Sequence, residues 1–206
     1  EQGSIESLSV RGVVSVSDSA DTTTGGIVGV NHGTLINCQF TGVVTGDSEV
    51  GGIVGRNESE GTIDHGTARA IVTGKSSTGG IAGYNLGAIT GCTNVGSINT
   101  EYPEASLDTD GFTAKMVDYI NNKMAAADND ATNSVTNVAT DTGGIAGRSS
   151  GMILTSVNTG TIGYEHVGYN VGGIVGRTDG LVSGCVNQGR VLGRKDVGGI
   201  AGQAEP

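Results

Sequence analysis

Tryptophan is absent from this 206-residue chain, and aromatic residues make up only 3% of it. A single globular core of that size normally uses large rings as bulk filler, so a thinner core of stacked aliphatic layers is expected. Proline is almost missing too, at two residues against 38 glycines. That ratio excludes collagen and a Pro/Gly-rich disordered segment. No stretch approaches the roughly 18 consecutive apolar residues of a membrane span, and residues 1–30 lack the pattern of a signal peptide. Basic residues are outnumbered 11 to 21, for a net charge of −10. Such a balance disfavours nucleic acid and insertion into, or adhesion to, anionic membrane. Three cysteines, Cys38, Cys92 and Cys185, are too few and too far apart for a disulfide framework or a CxxC metal site.

What the chain does have is repetition. The phrase Gly-Gly-Ile-(Val/Ala)-Gly begins at Gly25, Gly51, Gly79, Gly143, Gly172 and Gly198, at intervals of 26, 28, 64, 29 and 26 residues. A β-branched residue precedes each copy: Thr24, Val50, Thr78, Thr142, Val171 and Val197. Behind the first five copies lies a second aliphatic register, Leu35, Ile63, Ile89, Ile153 and Val182, then a small residue at Cys38, Gly66, Cys92, Ser156 and Cys185. A third aliphatic register follows at Val44, Val72, Ile98, Ile162 and Val191. Residues 3–14 fit the back half of the same template, so the array is expected to begin and end within a repeat and to be flanked by further domains of one polypeptide.

Three short segments rich in Val, Ile and Thr, separated by glycines and polar residues, suit strands and not helices. The expected fold is all-β: a parallel β-solenoid with three short strands per coil of about 26 residues, as a right-handed β-helix, with glycine supplying positive φ at the corners. Propeller blades need a longer period, and leucine-rich repeats need more than the seven leucines present. The chain is expected to be one domain over 1–206, interrupted by an insertion at about 101–142. A second apolar row, Val28, Val54, Ala82, Ala146, Val175 and Ala201, follows the isoleucines directly. A regular strand cannot bury both rows on one side, so either the backbone bends at the following glycine or one wall carries an apolar ridge.

The copies of GGIVG and GGIAG resemble the GLUG motif, whose signature is a glycine, two hydrophobic residues and a glycine. The likeness covers the chain outside about 101–142. It implies a repeat module of a large bacterial cell-surface or secreted protein, a group that includes metallopeptidases cleaving immunoglobulin A. Peptidase chemistry does not carry over, because a zincin needs two histidines four residues apart on a helix with a glutamate beside the first. The histidines here are His32, His65 and His166, and none has such a partner.

The remaining polar residues are read by register. Asn31, Asn57 and Asn85 are expected in turns or as a stacked amide ladder. The cysteines share one register on alternate coils, about 9–10 Å apart, beyond the roughly 7 Å a disulfide allows, so three free buried thiols are expected. Asp47 and Lys75, four residues before successive Gly-Gly pairs with Asp21, are expected to pair. One corner, between the third aliphatic register and the next Gly-Gly, is expected to absorb the changes in coil length. In the insertion, Phe112, Met116, Val117, Ile120 and Met124 have helical spacing over Gly111–Ala127, with Asp110 as a cap. Asp128 and Asp130 look like the start of a calcium loop but lack its glycine and distal glutamate, and no cofactor is expected.

No catalytic or metal site is expected. The first functional expectation is a stalk or adhesin scaffold. The alternative is a module binding host or cell-surface glycan or glycoprotein through the variable corner and the insertion, where Tyr102, Phe112, Tyr119, Tyr164 and Tyr169 are the available aromatics. A polysaccharide-acting β-helix enzyme is third, since paired carboxylates can cleave glycosides.

Overall fold

The computed structural model describes residues 3–16, 22–100, 139–165 and 167–206. The chain divides into two compact units, one formed by Glu1–Glu101 with Val138–Pro206 and the other by Tyr102–Asn137. The first unit is a parallel β-solenoid of about six turns. The expected helix at 111–127 and the calcium-like pair Asp128 and Asp130 lie outside the described residues.

Four parallel sheets run along the solenoid, each taking one strand from every coil, except that sheet II takes a second short strand, Ser97–Ile98, from one of them. Sheet I joins Ser4–Glu6, Thr34–Ile36, Thr62–Asp64, Ala88–Thr90, Met152–Leu154 and Leu181–Ser183. Sheet II begins with the seven-residue strands Ser9–Ser15, Gln39–Thr45 and Thr67–Thr73, and narrows to two residues at Thr93–Asn94, Val157–Asn158 and Val186–Asn187. Sheet III holds Thr24–Gly25, Ser48–Gly51, Ser76–Gly79, Thr140–Gly143, Tyr169–Gly172 and Lys195–Gly198. Sheet IV holds Val28–Asn31, Val54–Asn57, Ala82–Asn85, Ala146–Ser149, Val175–Thr178 and Ala201–Ala204.

A coil thus carries four strands, one more than three aliphatic segments suggest, because the Gly-Gly-Ile-(Val/Ala)-Gly phrase spans a corner. Ser48–Gly51 ends sheet III, Gly52 and Ile53 bend, and Val54 opens sheet IV. This bend answers the question of the two apolar rows: the chain turns before the second residue, so Ile53 and Val54 both point inward and both are 0% exposed. Coil-to-coil bonding continues through the turn, since the Ile53 and Val54 amides donate to the same Ile81 carbonyl at 3.1 and 2.9 Å.

The glycine pair serves close approach more than unusual φ. A Cβ on Gly51 would lie 1.9 Å from the Val54 carbonyl oxygen, and one on Gly52 would lie 2.1 Å from the Gly80 oxygen of the next coil. Positive φ falls instead largely on non-glycine residues. Ser7, Asn37, His65 and Thr155 turn the corner between sheets I and II, with Gly91 and Gly184 taking the same place in other coils, and Glu49, Ser77, Asp141, Asn170 and Asp196 interrupt the sheet III strands. Short polar residues tolerate this region better than most non-glycine side chains, and parallel stacking imposes it coil after coil.

Aliphatic columns fill the interior. Ile53, Ile81, Ile145 and Ile174 form one, and Leu35, Ile63, Ile89 and Ile153 another, every member at most 1% exposed. At roughly 1.5–3 kcal/mol for each buried aliphatic side chain, these columns are the main favourable term of the fold. Val44, Val72, Ile98 and Ile162 complete the core on sheet II. Ile98 pairs with Val72 on one side and Ile162 on the other, so the stack is in register across the insertion.

Candidate ligand-binding surface

Polar side chains divide between the interior, where they lock coils together, and the outer walls. Inside, Asn31 donates to Asn57 Oδ1 at 2.8 Å, Asn57 to Asn85 Oδ1 at 2.8 Å, and Asn85 to Ser149 Oγ at 3.0 Å. The Gly33 amide also donates to Asn31 Oδ1, so the expected turn and the expected ladder coexist. A second ladder, Asn94 to Asn158 to Asn187 at 2.8 and 2.9 Å, runs along sheet II. Asn99 bridges the insertion: its amide donates to Thr142 Oγ1 at 3.0 Å while its oxygen accepts from the Gly74 amide at 2.8 Å.

Cys38 and Cys92 are free and buried, whereas Cys185 is free but half-buried. Sheets I and II end at the coil of Cys185, so one side of that thiol faces no neighbouring strand. Burial pushes the Cys92 thiol up to about 12. The Lys75 and Asp47 side chains pair at 2.9 Å, as their register suggests; Asp21 lies outside the described residues. His65 is exposed and contacts its neighbour Asp64 at 2.9 Å, and His166 lies outside the described residues. Among the described residues no three His, Cys, Asp or Glu side chains gather as metal ligands.

On the outer wall of sheet IV, the Tyr84 ring sits between two guanidinium groups of flanking coils, 4.9 Å from Arg56 and 5.3 Å from Arg148. Arg56 also bonds Glu49 and Glu58, both at 2.7 Å. Burial lowers the Arg56 pKa, but these two carboxylates outweigh it and the net shift is upward. The Arg177 pKa is raised by its hydrogen bond to Glu205, and the Asp179 carboxyl is lowered by its bond from Ser150. This wall is an internally neutralised zipper, with its cations already committed to carboxylates or a ring.

The variable corner between sheets II and III is different. Of the five aromatics named above, Tyr102, Phe112 and Tyr119 lie outside the described residues, while Tyr164 and Tyr169 both stand here. Gly163 and Gly168 flank a short loop that carries an antiparallel bridge between Tyr164 and Val167. Tyr164 is 42% exposed. Tyr169 opens its sheet III strand, pairs in register with Lys195 of the next coil, and has the Arg194 guanidinium 5.9 Å from its ring centre. Arg190 reaches Glu165 at 3.1 Å, both side chains being mostly exposed. The Arg194 and Lys195 amides both donate to the Gly168 carbonyl, at 3.0 and 3.3 Å, which fixes this loop against the next coil. Sequence reasoning found the two tyrosines here but missed the three cations. The signal was present, as Arg190, Arg194 and Lys195 fall within six residues of an acidic chain.

No family model, curated protein or solved structure matches the chain. The GLUG resemblance therefore stands on its own residues. No helix among the described residues is long and apolar enough to cross a membrane.

Proposed function

We propose that this chain is a non-catalytic scaffold module of a larger bacterial cell-surface or secreted protein, holding its variable-corner loops, or neighbouring domains, at fixed positions. The observation that carries this is the continuous register of all four sheets, kept although coil length varies from 26 to 64 residues. All of the excess but two residues, inserted between Asn57 and Gly61, is diverted to one corner, and the stacked interior is left unchanged. A module selected for chemistry would need converging reactive groups, and the outward-facing ion pairs here neutralise one another instead. The GLUG resemblance supports the cellular setting.

Two measurements test the proposal. Antibody raised against the purified chain should label intact cells of the source organism or their culture supernatant, and exclusive recovery from the cytosol would refute the setting. Incubation with a panel of polysaccharides should release no new reducing ends; turnover that survives repurification would refute the scaffold reading.

A further inference from the structure

The variable corner is the place on the described surface where cations gather in excess of carboxylates next to exposed aromatic surface. Residues 189–196 carry Arg190, Arg194 and Lys195 against Asp196, a local +2 in a chain of net −10. All four side chains belong to exposed residues. Arg190 is tied to Glu165. Arg194 and Lys195 take part in none of the ion pairs among the described residues. The contrast with the sheet IV wall is one of chemistry: there each cation answers a carboxylate or shares a ring, and here Arg194 shares the Tyr169 ring while Lys195, the in-register neighbour of Tyr169, does neither, and both are exposed.

From this geometry we propose that Tyr169, Arg190, Arg194 and Lys195 form a binding site for a short acidic saccharide. A guanidinium fork matches a carboxylate or sulfate in a bidentate manner, and Lys195 adds a point charge beside it. The half-buried Tyr169 ring, steadied by Arg194, offers an apolar face with a polar edge, which suits the mixed surface of a sugar. The overall negative charge opposes a long polyanion such as nucleic acid, so the ligand is limited to a few charged units. The site goes beyond the scaffold reading, which requires no ligand and survives if this site fails.

Isothermal titration of the intact chain with trigalacturonate, a sulfated disaccharide and neutral maltotriose tests the proposal. Saturable binding of at least one acidic sugar and none of maltotriose is expected, and the arm that binds identifies carboxylate or sulfate as the anion. The Arg194→Gln/Lys195→Gln double variant should weaken it at least tenfold. Tyr169→Thr, which copies the in-register Thr140 of the preceding coil, should also weaken it, while Arg69→Gln on the outer face of sheet II should not. Circular dichroism of each variant should match the parent. No saturable binding of either acidic sugar at millimolar concentration would overturn the proposal. So would undiminished binding by the folded double variant, or hexaglutamate binding as tightly as the better sugar.

Discussion

Replacing Asn57 by alanine removes the centre of the first amide ladder. The side chain is 0% exposed and makes four bonds: it accepts from Asn31 at 2.8 Å and donates to Asn85 Oδ1 at 2.8 Å, to the Gly61 carbonyl at 3.1 Å and, at a longer 3.5 Å, to the Ala88 carbonyl. The Gly61 carbonyl keeps a partner, since the Ala88 amide also donates to it at 3.0 Å. Two groups are left short, one proton of Asn31 and the acceptor of Asn85. At about 1–3 kcal/mol for each buried polar group deprived of its partner, the loss is roughly 2–6 kcal/mol, a large share of the ~5–15 kcal/mol typical of a folded domain. Asn31→Ala should cost less, because Asn31 has a ladder neighbour on one side and sits nearer the surface. Urea unfolding followed by far-UV circular dichroism gives both values from the midpoint and slope. A loss below about 1 kcal/mol for Asn57→Ala, or equal losses for the two variants, would show that the ladder does not stabilise the stack as buried polar satisfaction requires.

Other outcomes follow from the same contacts. Deleting residues 101–138 and joining the ends with a short glycine-serine linker should preserve the strand signal and cooperative unfolding, because Ile98 and Asn99 tie the first side of the cut to coils that also hold Thr142; loss of cooperative unfolding would refute this. Asn99→Ala in the intact chain should lower stability by about 1–3 kcal/mol through the unpaired Gly74 amide, measured by urea unfolding. The Cys92 thiol is neutral in the fold to about pH 12 but ionises near its ordinary 9.0 once unfolded. Its contribution is therefore full below pH 9 and is lost as pH rises toward 12, and Cys92→Ser should reduce that alkaline loss in pH-dependent denaturation. Native alkylation should modify Cys185 before Cys38 or Cys92, as peptide mapping can show. Gly52→Ala should disrupt folding, since its Cβ would meet a backbone oxygen at 2.1 Å, whereas Gly12→Ala, with nothing within 4 Å, should be tolerated in thermal melts.

The aliphatic columns were legible in the sequence because parallel stacking repeats the same contact at the same place in every coil. Leu35, Ile63, Ile89 and Ile153 align on the page as they do in space. The fourth strand was not legible, because nothing in the letters of GGIVG says that the chain turns between isoleucine and valine; the turn is a property of main-chain bonding to the next coil. The non-glycine corners were hidden for a related reason. Asn37, His65 and Thr155 share a backbone state without sharing a side chain. The second amide ladder escaped because its column holds Phe40 and Ala68 in earlier coils, so no residue type marks it. The site was half legible: Tyr164 and Tyr169 follow from their loop, but the pairing of Tyr169 with Arg194 and Lys195 depends on register between coils.

The corner that absorbs extra residues has a consequence for how such a module spends chain length. Fully extended, 26 residues would reach roughly 90 Å, yet one coil advances the stack by only about 4.8 Å. As a device for distance alone this is a poor bargain. What each coil adds is perimeter: four faces and one permissive edge, all indexed to their neighbours at a fixed spacing. A module built this way functions less as a pole than as a ruled board, on which one edge can be rewritten while the lines stay where they are.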